Sequence, residues 1–95
     1  MSQIVRHEQA VFEALKYRID LDEEGTRRYF NNAGKIHRID GPAIVYAGGT
    51  KYWMQNGLLH RTDGPAVVGS YGNMEWWING EELTEAEFNQ AVKLL

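Results

Sequence analysis

The sequence predicts an α+β fold: an antiparallel β-meander of three repeated hairpins, about six strands, flanked by an N-terminal and a C-terminal α-helix. Three observations predict it. His37 and His60 lie 23 residues apart, and the same offset separates Asp40 from Asp63, Pro42 from Pro65, Trp53 from Trp76, and Asn56-Gly57 from Asn79-Gly80. Self-similarity at a fixed period is the signature of a repeat architecture. Within each period, β-branched and aromatic residues form two short segments separated by glycine, as in a hairpin. At the two ends of the chain, apolar residues recur at helical spacing instead.

In chain order, Ile4, Val11, Phe12 and Leu15 share one side of a helix expected over about 3–17. The hairpins follow at about 18–31, 43–55 and 66–79. In the second, Ala43-Ile-Val-Tyr-Ala47 runs out, Gly48-Gly49 turns tightly, and Thr50-Lys-Tyr-Trp-Met54 returns. Asn56-Gly57 then turns the chain again. The first copy is partial, with one extra residue before Gly34, and the last is partial because Leu83-Thr84 replaces His-Arg. Stacked in register, Ile19/Ala43/Ala66 and Leu21/Val45/Val68 form columns expected on one buried face, since alternate residues of a strand share a face. Tyr29/Trp53/Trp76 and Phe30/Met54/Trp77 form bulky columns on opposite faces. The last helix starts at Thr84, whose spacing to Glu87 makes a capping box, with Leu83 and Phe88 placed as a hydrophobic staple. Phe88, Ala91, Val92 and Leu95 line its apolar stripe.

The chain of 95 residues is expected to form one domain, and its composition is that of an ordinary globular protein: 43% hydrophobic, 24% charged and free of cysteine. No apolar run approaches a membrane span, and Glu8 and Glu13 interrupt the N-terminal apolar pattern, which argues against a signal peptide. A cytoplasmic location is the expectation. The net charge of −3 resides at the ends: residues 1–24 carry three basic against six acidic groups, and 25–83 carry six against five. A repeat region this close to neutral lacks the basic stripe of a nucleic-acid binder.

The repeated HRxDGPA segments (37–43 and 60–66) hold the residues that chemistry would need. Each offers one His and one Asp, and equivalent positions of adjacent hairpins stand roughly 9.5 Å apart, too far to pool ligands on one ion. No serine sits in a nucleophile elbow, and GGTK (48–51) lacks phosphate-loop spacing. The expectation is a protein without catalysis, metal or cofactor. HRxDGPA fits a corner: Gly41 and Gly64 precede proline, Pro42 and Pro65 suit the first residue of a strand, Asp40 and Asp63 accept turn amides, and Arg38 and Arg61 reach a carboxylate. An active site needs its acid once, whereas a corner is needed at every hairpin. For binding, the aromatic strip of Tyr29, Trp53 and Trp76 flanked by Arg27, Arg28 and Lys51, together with the ridge of His37, Arg38, His60 and Arg61, is the candidate contact surface.

The unit Trp53-Met-Gln-Asn-Gly-Leu-Leu-His60-Arg-Thr-Asp-Gly-Pro-Ala66 resembles the WxxNGxxHRxDGPA repeats of small proteins encoded by bacteriophages and some bacteria. It is also similar, more distantly, to the MORN repeat, a β-hairpin unit of the same length. Here tryptophan is four residues from glycine, one more than in that motif, and His-Arg replaces its His-Gly. The resemblance covers about 25–83. It implies a phage accessory protein that inhibits a host protein or defence system, anti-CRISPR action included, by stoichiometric binding in the host cytoplasm. A nucleic-acid-binding module and a self-associating scaffold or homodimer are the alternatives.

Overall fold

The computed structural model describes residues 16–95. It is mostly antiparallel β-sheet with a single helix near the C-terminus among the described residues. The helix expected over 3–17 lies, but for its last two positions, outside them.

The expected hairpins are present. Strand β1 (Arg18–Leu21) pairs with β2 (Arg27–Phe30), β3 (Ile44–Val45) with β4 (Lys51–Tyr52), and β7 (Val67–Val68) with β8 (Met74–Ile78). All pairings are antiparallel, and neighbouring hairpins join through β2–β3 and β4–β7. Each loop spans three residues rather than the two of a Gly48-Gly49 turn. Tyr46 and Thr50 close one loop, with Gly49 at φ +104° as its only left-handed residue. Its counterparts Gly25 and Gly72 hold the same role at +94° and +90°. A type I turn followed by a left-handed glycine fits this three-residue geometry.

The sequence does not announce a second row of hairpins. Strand β5 (Met54–Gln55) turns through Asn56-Gly57 into β6 (Leu58–Leu59), and the end of β8 turns through Asn79-Gly80 into β9 (Glu81–Leu83). Both asparagines take positive φ, 52° and 49°, followed by glycine at 80°, as a two-residue hairpin turn requires. The first unit makes the same excursion through Asn31–Gly34, closed by a bridge between Phe30 and Ile36. Backbone bonds from Arg38 N–H to Met54 C=O (3.0 Å) and from Arg61 N–H to Trp77 C=O (3.2 Å) link these hairpins along a second row. At Trp53 one strand passes between rows: its N–H donates to Ala66 in the first, and its C=O accepts from His60 in the second.

The core is small. Ala43 and Ala66 are fully buried, with Ile44, Val67, Tyr17 and Tyr29 nearly so. The column expectation holds for the two alanines but not at the sheet edge, where Ile19 and Leu21 are 50% and 63% exposed. Among the described residues, strand β1 has a partner only in β2. Helix α1 (Glu85–Val92) packs on β8 and β9 and buries Phe88. Both bonds of its capping box form: Glu87 N–H donates to Thr84 Oγ1 (3.1 Å), and Thr84 N–H donates to Glu87 Oε1 (2.8 Å).

Candidate functional site: the groove between two corners

The two HRxDGPA segments are built alike, and each residue type has a job. Following proline restricts Gly64 to extended backbone, and its φ is not positive. Glycine is needed there for space: a Cβ would lie 2.9 Å from the Arg61 Cζ, because the guanidinium lies flat against the glycine. On its other side the same guanidinium covers the Trp53 ring, 3.9 Å from the centroid. Its Nε donates to Asp63 Oδ1 (2.8 Å) and its Nη1 to the Pro65 carbonyl (3.0 Å). Arg38 repeats this over Tyr29 at 4.1 Å, donating to Asp40 (3.1 Å) and Pro42 (3.4 Å), against Gly41. Arginine suits this place because its planar group stacks and donates in a fork at once.

The histidines face the next unit. His37 Nδ1 accepts the Asn56 N–H at 2.9 Å, and His60 Nδ1 accepts the Asn79 N–H at 3.0 Å. Each ring thereby braces the Asn-Gly turn one period ahead, with its Nε2 carrying the hydrogen of the neutral tautomer. Threonine does the same for the outer loops: Thr26 Oγ1 accepts from Ala47 N–H (3.4 Å) and Thr50 Oγ1 from Ser70 N–H (3.2 Å).

Between the two corners lies a groove of about 550 Å³ whose walls carry Arg38 and Asp40 on one side and His60, Arg61 and Asp63 on the other, with Trp53 and Gln55 between. Asp63 titrates below the ordinary carboxylate range, chiefly through its bond from Arg61, against a smaller upward push from burial. At Asp40, burial pushes upward, but the Arg38 hydrogen bond, the residue's own backbone amide and the charges of Arg38 and Lys16 together bring the carboxyl below its usual value. Tyr17 closes the corner from below, its hydroxyl accepting Ile39 N–H at 3.0 Å. Ile39, 61% exposed, forms an apolar rim.

Of the sequence-predicted surface residues, the structure brings Arg38, Trp53, His60 and Arg61 to this groove. His37 is half-buried behind it, with its ring near Tyr17. Tyr29 is 7% exposed and lies under Arg38, so it presents no ring to a partner. Arg28 is bound to Asp22 at 3.0 Å and approaches Asp20, while Arg27 and Lys51 are exposed strand positions away from the groove. Trp76 lines a separate cavity at the end of the stack. Sequence reasoning missed Ile39 and Thr62, the one position of HRxDGPA whose residue differs between the two copies, and Gln55, just before the Asn-Gly turn; the only signal for them is that placement. Among the described residues, no group of three or more His, Asp or Glu side chains is placed to hold a metal ion, and no helix is long and apolar enough to cross a membrane. The chain matches no protein family, curated protein or solved structure.

Proposed function

We propose that the protein is a non-enzymatic protein-binding module. In the terms of the phage repeat it resembles, it acts in the host cytoplasm as a stoichiometric inhibitor of a host protein, with anti-defence action, anti-CRISPR action included, as its biological setting. The observation that carries this reading is the state of the groove's polar groups. Both carboxyls are held ionised by arginine and titrate below their ordinary range, the opposite of the raised pKa that general acid catalysis at neutral pH requires. The arginines are spent on carboxylates, proline carbonyls and aromatic faces, and the histidines on backbone amides. What remains for a partner is a rigid concave shape with fixed polar walls and an apolar rim at Ile39, the make-up of a contact surface.

The test uses affinity capture from nuclease-treated bacterial lysate, followed by calorimetry with the captured protein. A single partner bound near one-to-one, with affinity reduced at least tenfold by Ile39→Asp at unchanged melting temperature, is the expected result. Capture that vanishes with nuclease treatment, or affinity indifferent to Ile39→Asp and Thr62→Arg together, defeats the groove as the contact surface. Self-association has one observation in its favour: among the described residues β1 is an edge strand, with exposed Ile19 and Leu21. Light scattering across concentrations decides it.

A further inference from the structure

The repeat sets a rule that its last unit leaves unfulfilled. Tyr29 and Trp53 each carry a guanidinium on one ring face, at 4.1 and 3.9 Å, supplied by the arginine of the corner that follows. Trp76 stands one period after Trp53, and the place corresponding to Arg61 is occupied by Thr84. Threonine is too short to cover an indole, and among the described residues no arginine or lysine lies over the Trp76 ring. A cavity of about 390 Å³ opens there instead, walled by Trp76, Leu83 and Thr84. Met74 adds an apolar edge, and the remaining lining is acidic: Glu75, Glu82, Glu85 and Glu87 all reach it.

These carboxylates are not equivalent. Glu75 accepts the Trp77 indole N–H at 2.9 Å, and Glu87 is engaged in the helix cap. Glu82 and Glu85 are exposed and form no ion pair among the described residues. The earlier corners pair their guanidinium with an aspartate that follows it by two positions; here that position is Ala86, and the nearby acids are Glu82 on β9 and Glu85 in the first turn of α1. An aromatic face with carboxylates around it is the complement of a planar cation, and both internal precedents in this chain hold arginine.

We propose that the Trp76 cavity is a socket for an arginine side chain of a partner polypeptide, stacked on the indole and paired with Glu82 and Glu85, completing the array that Arg38 and Arg61 fill within the chain. This rests on the reading of the protein as a protein-binding module and gives that partner a chemistry: a segment presenting an exposed arginine.

The experiment titrates the ¹⁵N-labelled full chain with the blocked tripeptide acetyl-Gly-Arg-Gly-amide, following amide and indole cross-peaks. The citrulline tripeptide, of the same shape but uncharged, is the control. A saturable shift of the Trp76 indole and of residues 83–87 is expected, with a dissociation constant on the order of millimolar for one cation–π contact reinforced by carboxylates. Citrulline should leave these peaks in place, and Glu85→Gln should weaken binding severalfold. Since Trp76→Leu disturbs β8, Thr84→Arg serves as the second variant, read against Thr84→Ala, which removes the same helix cap. Thr84→Arg supplies the guanidinium from within and should abolish the peptide's effect, whereas Thr84→Ala should retain it. Absence of shifts at about 20 mM peptide, an equal response to citrulline, indifference to Glu85→Gln, or shifts of Trp76 on diluting the protein alone, which would put a second copy in the socket, each overturn the assignment. None of these outcomes depends on Ile39, so failure here is separable from failure of the groove.

Discussion

Gly64→Ala should change sign with its neighbour. In the native chain the added methyl would lie 2.9 Å from Arg61 Cζ and 3.2 Å from Nε and Nη1, so the guanidinium must leave its position. It would lose a charged hydrogen bond to the part-buried Pro65 carbonyl, worth about 1.5–3 kcal/mol. Its stack on Trp53 adds about 0.5–1 kcal/mol. The Asp63 pair adds little, because that side chain is 85% exposed. Against a partial loss of these stands the reduced freedom of the unfolded chain when glycine becomes alanine, about 0.4–1 kcal/mol in favour of folding. The net expectation is destabilisation by about 1–2 kcal/mol. In an Arg61→Ala background the obstacle is gone and only the entropy gain remains, so Gly64→Ala should stabilise by about 0.4–1 kcal/mol. Urea denaturation read by tryptophan fluorescence resolves this. With a slope of about 1 kcal/mol per molar, the midpoint falls by about 1–2 M in the first background and rises by about 0.4–1 M in the second. The same cycle at Gly41 and Arg38, where the bonds are longer, should show the same signs at smaller amplitude. Equal effects of Gly64→Ala in both backgrounds would refute the packing of arginine on glycine as the reason for the motif.

His60→Ala removes the acceptor of the Asn79 N–H and should cost about 0.5–1.5 kcal/mol, with hydrogen exchange accelerating at Asn79 but not at Asn56, which His37 serves. Asn79→Ala places an alanine at φ 49° and should lower stability by about 1–2 kcal/mol in thermal unfolding, whereas Asn79→Gly is nearly neutral. Thr84→Ala breaks the capping box and should cost about 1 kcal/mol, seen as lost helical ellipticity. Asp22, Asp40 and Asp63 all titrate below their ordinary value of 3.8 when folded. Their contribution is therefore fully present above that value and is lost as pH falls through the lower folded pKa values. Denaturation midpoints followed from neutral pH into acid should decline in this range, and Asp63→Asn should lessen the decline.

The period and the helix cap were legible because each depends on residue types at fixed spacing: the offset from Trp53 to Trp76, the Asn-Gly pairs, and Thr84 with Glu87. The split into two rows was not. Thr50 to Gln55 reads as one unbroken strand, since propensity does not register that Trp53 hands its N–H to one row and its C=O to the other. Nor could spacing show which side of Trp53 and Tyr29 would be covered. Their cover is arginine, a residue the eye assigns to the surface, so the strip expected to be open was partly sealed by the ridge expected to lie beside it. The corner role of HRxDGPA was legible from proline and duplication, but the close approach of the Arg61 guanidinium to Gly64, which an added Cβ would displace, belongs to three dimensions alone.

The bonds accepted by the Thr26 and Thr50 hydroxyls, and by the His37 and His60 rings, share a direction. In every case the acceptor belongs to the earlier unit and the donor to the later one. A unit thus has a leading side that accepts and a trailing side that donates, and the two joints in this chain use the same pairs of positions. Growth of such an array needs no new contact to be invented; a tandem duplication within the gene would bring its own joints. What ends the series is equally local. Leu83 takes the place of the histidine, so the last unit lacks the ring acceptor that would brace a further Asn-Gly turn, and Asn73 stands where the threonine would be. On these joints, an array lengthened by duplication would extend both rows of hairpins together, in steps of one unit.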